Sequence, residues 1–151
     1  MSQLLTIDPG GESGNGGETG IVLARYDDNT PYTIEDYWAI PAGVNPFRLW
    51  LNDNEHLRQM HTVICEDFVK WNNAADISPL RLVGAVQYVW PWVILRQAGR
   101  RSFITDDQMK ALNAYIPGGH HRDVTESARH GVAWLVKDKK HGPTQRVVLG
   151  R

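Results

Sequence analysis

Three stretches of the chain put carboxylates where they could do chemistry. The run "LLTIDPG" carries an apolar segment up to Asp8 and breaks at Pro9; "TVICED" ends a β-branched run at Glu66; and "HHRDVTESARHGVAWL" sets Asp123, Glu126 and His130 near the start of a helical pattern. Spacings of i, i+3 and i+7 place Asp123, Glu126 and His130 on one helical stripe. The apolar set Val124, Ala128, Gly131 and Leu135 follows the same period about 100° round and is predicted to face the core. Acids converging from separate segments can hold one or two divalent cations, because hard Mg²⁺ prefers oxygen donors. Such ions activate water and stabilise a leaving oxygen in phosphodiester hydrolysis.

Each acid also has a plainer explanation. Asp123 and Glu126 would be favoured at a helix start by the macrodipole alone, and Asp8 before Pro-Gly suits a turn. Glu66 is harder to dismiss, since a carboxylate directly after Val-Ile-Cys is costly to bury unless paired or metal-bound. Asp67 is turned to the opposite face by strand alternation. The glycines 10, 11, 14, 16, 17 and 20 suggest a phosphate cradle, but the stretch lacks the Lys-Ser/Thr ending of a P-loop. It is better read as a hairpin that begins at Asp8.

The elements that must position these groups follow from pattern. Strands are expected at 4–8, 20–26 and 32–40, separated by turn signals, as an antiparallel meander. A helix is expected from 46 to about 60, then a short strand at 62–65 running into Glu66. Residues 78–89 read as a helix with Ser78 as N-cap and Pro79 in the first turn. A strand at 92–95 follows. Thr105 and Gln108 have capping-box form before a short helix to about 112. The last helix is expected at 123–137, followed by a basic tail over about 138–151. This β-β-β-α-β-α-β-α order predicts a single α/β domain.

Bulk composition agrees with one globular domain: 151 residues, 42% hydrophobic and 22% charged. The lone Cys65 excludes an internal disulfide and fits a reducing cytoplasm. The pattern predicts neither a membrane span nor a secretory leader. Net charge is −1, yet residues 1–67 carry 11 acids and 3 Lys or Arg, whereas 68–151 carry 6 acids and 13 Lys or Arg. Acids to hold cations and bases to meet phosphates would suit a nucleic-acid enzyme.

Taken together, "LLTIDPG" with "TGIVL", "VICEDFVKWNNAADISPLRLVGA" and "RDVTESARHGVAWL" resemble the RuvC family of Holliday junction resolvases, in the RNase H-like superfamily. The likeness is greatest to compact phage-type members, which carry a similar "FITDD" segment before the last helix. It implies an RNase H-like fold: a mixed five-stranded sheet of three antiparallel N-terminal strands, then parallel strands, flanked by helices. It implies Mg²⁺- or Mn²⁺-dependent hydrolysis of branched DNA with two ions per site. Asp8 would bridge the ions, with Glu66 on one and Asp123 and Glu126 on the other. Glu126 stands where Asp is common in the family, and the glycine loop is longer. His130, by its place on the acid stripe, is a candidate to approach the metal site or the attacking water; packing beside the cleft for structural reasons is the alternative. A homodimer is implied, and helix 80–89 is the candidate for part of its interface, with a core helix as the alternative.

Expected DNA contacts are Trp71, stacking on an unpaired base, and Arg96, Arg100, Arg101, Lys137, Lys139 and Lys140 on phosphates. His120 and His121 are weaker candidates. The rivals are a nuclease of the same fold acting on flaps or RNA–DNA hybrids, and a non-catalytic DNA-binding protein, which would have no need of aligned acids. An actin-like nucleotide-binding protein would need a second lobe, for which the chain has no room.

Overall fold

The computed structural model describes residues 1–10, 17–67, 77–97, 103–118 and 122–150. Five strands form one sheet: β1 (Ser2–Asp8), β2 (Glu18–Tyr26), β3 (Thr33–Pro41), β4 (Val63–Asp67) and β5 (Ile94–Gln97), in the order β3-β2-β1-β4-β5. The first three pair antiparallel, as their short turn signals require. β4 joins β1 in parallel and β5 joins β4 in parallel, each after a helical connection. This is the mixed five-stranded sheet that the family resemblance implies.

Alternation along the strands divides the interior in two. Leu4, Val22, Ala24 and Ile64 pack beneath α4 (Arg122–Ala133), with α3 (Asp106–Ala111) and α5 (Gly142–Leu149) beside it. Leu5, Ile7, Ile21, Leu23, Val63 and Cys65 face α1 (Val44–Asp53) and α2 (Ser78–Val89). By the same parity Asp8, Glu66, Gly20 and Glu18 belong to the α4 face. As predicted, Val124, Ala128 and Leu135 are buried.

Several boundaries differ from expectation for local reasons. The helix expected over 46–60 stops at Asp53, where the Asn54 side-chain amide donates to the Trp50 carbonyl (2.8 Å), and a 3₁₀ turn, Glu55–Gln59, follows. Ser78 lies inside α2 instead of capping it, and no side chain caps that helix. The Thr105–Gln108 capping box forms as predicted. The last helix widens at Trp134–Asp138 into a π-helical turn, with the Lys139 N–H donating to the Trp134 carbonyl (2.9 Å).

The C-terminal stretch read as a basic tail is largely an ordered helix. Pro143 opens α5, and His141 caps it. His141 Nε2 donates to the Asp27 carbonyl (2.8 Å), so its Nδ1 accepts from the Thr144 hydroxyl (2.8 Å), which in turn accepts the Tyr32 N–H (2.9 Å). These bonds fasten α5 to the β2–β3 turn. Among the described residues, no helix is long and apolar enough to cross a membrane.

Candidate active site

Asp8 and Glu66 close adjacent parallel strands. Ile7 is in register with Cys65, so the two acids stand one residue further on, side by side at the carboxyl ends and on the same face. Open α/β sheets bind ligands at this edge. Asp8 is 8% exposed and the Glu66 side chain 18%.

The start of α4 is held over the same spot by a glycine. Gly20 is in register with Asp8, and a Cβ on Gly20 would lie 2.1 Å from the Asp123 carbonyl oxygen. Only the missing side chain lets the first turn of α4 rest on the β1–β2 pair. Further along, a Cβ on Gly131 would touch Thr6, Tyr32 and Leu4 at 3.1–3.2 Å. The helix therefore runs back along β1 from its carboxyl end. Two turns after Asp123, His130 is buried with Nε2 3.4 Å from Glu66 Oε2. Neither ring nitrogen has a hydrogen-bond partner among the described residues.

Electrostatics report the convergence of the acids. Burial pushes the Asp123 carboxyl above its ordinary value; Glu18, Glu66 and Glu126 add to the rise, and Arg122 opposes it. The Cys65 thiol is pushed well up by burial, then by Asp8, Glu66 and Asp67. Glu18 is the member that sequence reasoning missed, although among the charged neighbours of Asp123 it acts most strongly. Two residues before Gly20, it shares the α4 face by strand parity, and that parity is the signal that would have found it.

Glu126 lies to one side, with Oε1 3.5 Å from Arg129 Nη2. Among the described residues, no three His, Cys, Asp or Glu side chains close into a metal cage. The donor chemistry still fits a hard cation. Mg²⁺ is commonly held by one or two carboxylates with water and substrate oxygens completing its shell, and the crowding of like charge around Asp123 is what a cation relieves. Asp8, Glu66, Asp123, Glu126 and Glu18 are the residues that could hold it.

The basic residues expected at DNA separate. Arg96 is 3% exposed, and its guanidinium is ion-paired with Asp138, so it ties edge strand β5 to the end of the long helix instead of facing outward. Lys139 borders a groove with Ser2, Gln3, His56 and His61, beside the amino end of β1 and away from Asp8. Lys137 is exposed, its Nζ 5.7 Å from the Phe103 ring centroid. Lys140 is exposed at a left-handed turn, φ 52°. Trp71, Arg100, Arg101, His120 and His121 lie outside the described residues.

The fold is shared with solved structures. Thermus thermophilus RuvC in complex with a Holliday junction substrate matches over 93% of this chain and 97% of its own, with TM-score 0.67 and 11% identity. The chain has the RuvC fold. A second Thermus thermophilus RuvC structure covers 90% of this chain and 96% of its own (TM-score 0.60, 12% identity), and the fowlpox virus Holliday junction resolvase covers 89% and 97% (TM-score 0.57, 13% identity). No family model matches the sequence, and no curated protein matches it. The RuvC-type sheet is the scaffold on which Asp8, Glu66 and the start of α4 meet.

Proposed function

We propose that this chain is a divalent-cation-dependent endonuclease that resolves four-way or otherwise branched DNA. One observation carries the reading. Asp8 and Glu66 close adjacent parallel strands beneath the acidic first turn of α4, in a fold shared with a RuvC bound to a Holliday junction.

Asp8, Glu66 and Asp123 would hold Mg²⁺ or Mn²⁺, two ions per site, with Glu126 and Glu18 at the border. When bound, such ions supply Lewis acidity and a water acidic enough to attack a phosphodiester. The chain's own residues set the stage. The strand ends fix Asp8 and Glu66, Gly20 fixes the height of Asp123, and buried His130 packs beside Glu66, its Nε2 3.4 Å from Oε2. Lys137, Lys140, Arg100, Arg101 and Trp71 are proposed to contact DNA, as a basic surface would with strong salt dependence.

Symmetric cutting of two strands calls for two sites, and isologous pairing supplies them. We place the homodimer contact on α2, where Leu82, Val83 and Val86 are buried while Leu80 and Tyr88 are exposed. Beside them an apolar groove of about 290 Å³ is lined by Val44, Phe47, Leu51, Ala85, Tyr88 and Val89. Tyr88→Glu should yield a monomer by sedimentation that still binds duplex DNA; an unchanged dimer would remove α2 from the interface.

The direct test incubates the purified protein with labelled four-way junction, flap, duplex and RNA–DNA hybrid substrates, with Mg²⁺ or with EDTA. Paired symmetric cuts in the junction, lost with EDTA and in Asp8→Asn, support the reading. Preferential cutting of flaps or hybrids would move the assignment to another nuclease of this fold.

A further inference from the structure

The "FITDD" segment has no part in the site as described, yet one of its acids reaches it through a single side chain. Arg129 is buried, and its guanidinium has three neighbours. Nη1 donates to the Ile104 carbonyl (2.6 Å), Nη2 donates to Asp106 Oδ1 (2.5 Å), and the same Nη2 stands 3.5 Å from Glu126 Oε1. The guanidinium is thus shared unequally between two carboxylates, and the closer one is outside the site.

Asp106 is well placed to keep that share. It opens α3, whose first turn is locked by the reciprocal Thr105–Gln108 capping box. The Gln108 side chain also donates to the Val148 carbonyl (2.9 Å), which ties α3 to α5. Asp106 is therefore a carboxylate on a fixed support. Asp106, Arg122, Glu126 and Arg129 together border a cavity of about 330 Å³ next to the start of α4. Arg–carboxylate pairs are frequently held by two parallel hydrogen bonds. Without Asp106, Nη2 would be free to close on Glu126.

We propose that Asp106 is a positioning residue of the candidate site: by engaging Arg129 it limits how closely the guanidinium pairs with Glu126, and so how strongly that pairing competes with a divalent cation for the carboxylate. This rests on the metal-dependent reading above. Asp106 touches neither cation nor substrate; it acts through Arg129.

The test titrates Mn²⁺ into DNA-free protein and follows the free Mn²⁺ signal by electron paramagnetic resonance. Asp106→Asn removes the competing charge, and Asp106→Ser removes it while keeping a residue that suits a helix start. Asp107→Asn is the control, since it deletes an exposed acid in the same turn without touching Arg129. The Asp106 side chain is exposed, and a charge pair with an exposed member shifts an affinity by up to about fivefold, so either Asp106 variant should bind Mn²⁺ about two- to fivefold more weakly, and Asp107→Asn should match the parent. Asp106→Glu, which keeps the carboxylate, should restore most of the affinity. Equal weakening in the Asp106 and Asp107 variants, or none in either, would overturn the proposal while leaving the metal reading intact. No Mn²⁺ binding by the parent would overturn both.

Discussion

Asp123→Asn should make the metal-free protein more stable and the metal-loaded protein less so. Asp123 has three like-charged neighbours, Glu18, Glu66 and Glu126, against one cation, Arg122. After solvent screening, pairs of this kind contribute about 0.2–1 kcal/mol each. A net excess of two repulsions therefore costs about 1 kcal/mol, and partial burial adds in the same direction. For a domain of 151 residues that is an increase in Tm of about 2–4 °C for the variant in EDTA.

The sign with pH follows from the raised carboxyl. Its folded-state pKa lies above the ordinary 3.8, so the folded chain takes up this proton more readily than the unfolded chain. The destabilisation is absent below the ordinary value, grows as pH climbs through the raised one, and is complete above it. The advantage of the variant should therefore be full at neutral pH and shrink as pH falls toward about 4. Saturating cation reverses the order: a ligand at 100 times its Kd stabilises by about 2.7 kcal/mol, and the variant, lacking a donor, gains less. Thermal melts of both proteins in EDTA and in Mg²⁺, from pH 4 to 8, provide the assay. An Asn variant that melts lower than the parent in EDTA, or gains as much from Mg²⁺, would refute the reasoning.

Four further outcomes are expected. Gly20→Ala places a methyl group against the backbone of Asp123 and should cost about 3 kcal/mol in urea melts, with DNA cleavage falling more than the folded fraction does. By contrast, Gly84 in α2 has nothing near the position of a Cβ, so Gly84→Ala should stabilise by about 0.5–1 kcal/mol in the same melts. Asp138→Asn leaves the buried Arg96 guanidinium without its carboxylate; because Asp138 is itself part-exposed, the loss should be about 1–3 kcal/mol by urea denaturation, below the range for a fully buried pair. Cys65 is buried with its thiol pushed up, so it should resist alkylation at pH 8 in the native protein and react at once in denaturant; rapid native labelling would contradict the packing.

Much of the fold was legible because its signals are local. β-Branched runs between turn residues gave β1 to β4, and the 3.6-residue period of Val124, Ala128 and Leu135 gave the buried face of α4. The Thr105–Gln108 box is a two-residue signature, and it formed as read. What was not legible depended on partners distant in sequence. The break at Asn54 comes from one side-chain bond to Trp50. The ordering of α5 depends on His141 and Thr144 meeting Asp27 and Tyr32, more than a hundred residues away. Arg96 read as a surface base because the partner that holds it in the interior, Asp138, is 42 residues on. In the candidate site, Asp8 and Glu66 were visible as acids ending apolar strands, whereas Glu18 sat inside a glycine-rich hairpin whose pairing register alone turns it toward Asp123.

The central claim is that the acids gathered at the carboxyl ends of β1 and β4 cut branched DNA. The most direct measurement follows a four-way junction labelled on opposing strands, with Mg²⁺, using the parent protein and Asp8→Asn. Paired cuts at symmetric positions by the parent, and intact junction still bound by the variant, are the predicted result. Junction binding without cleavage by the parent, in Mg²⁺ and in Mn²⁺ alike, would contradict it.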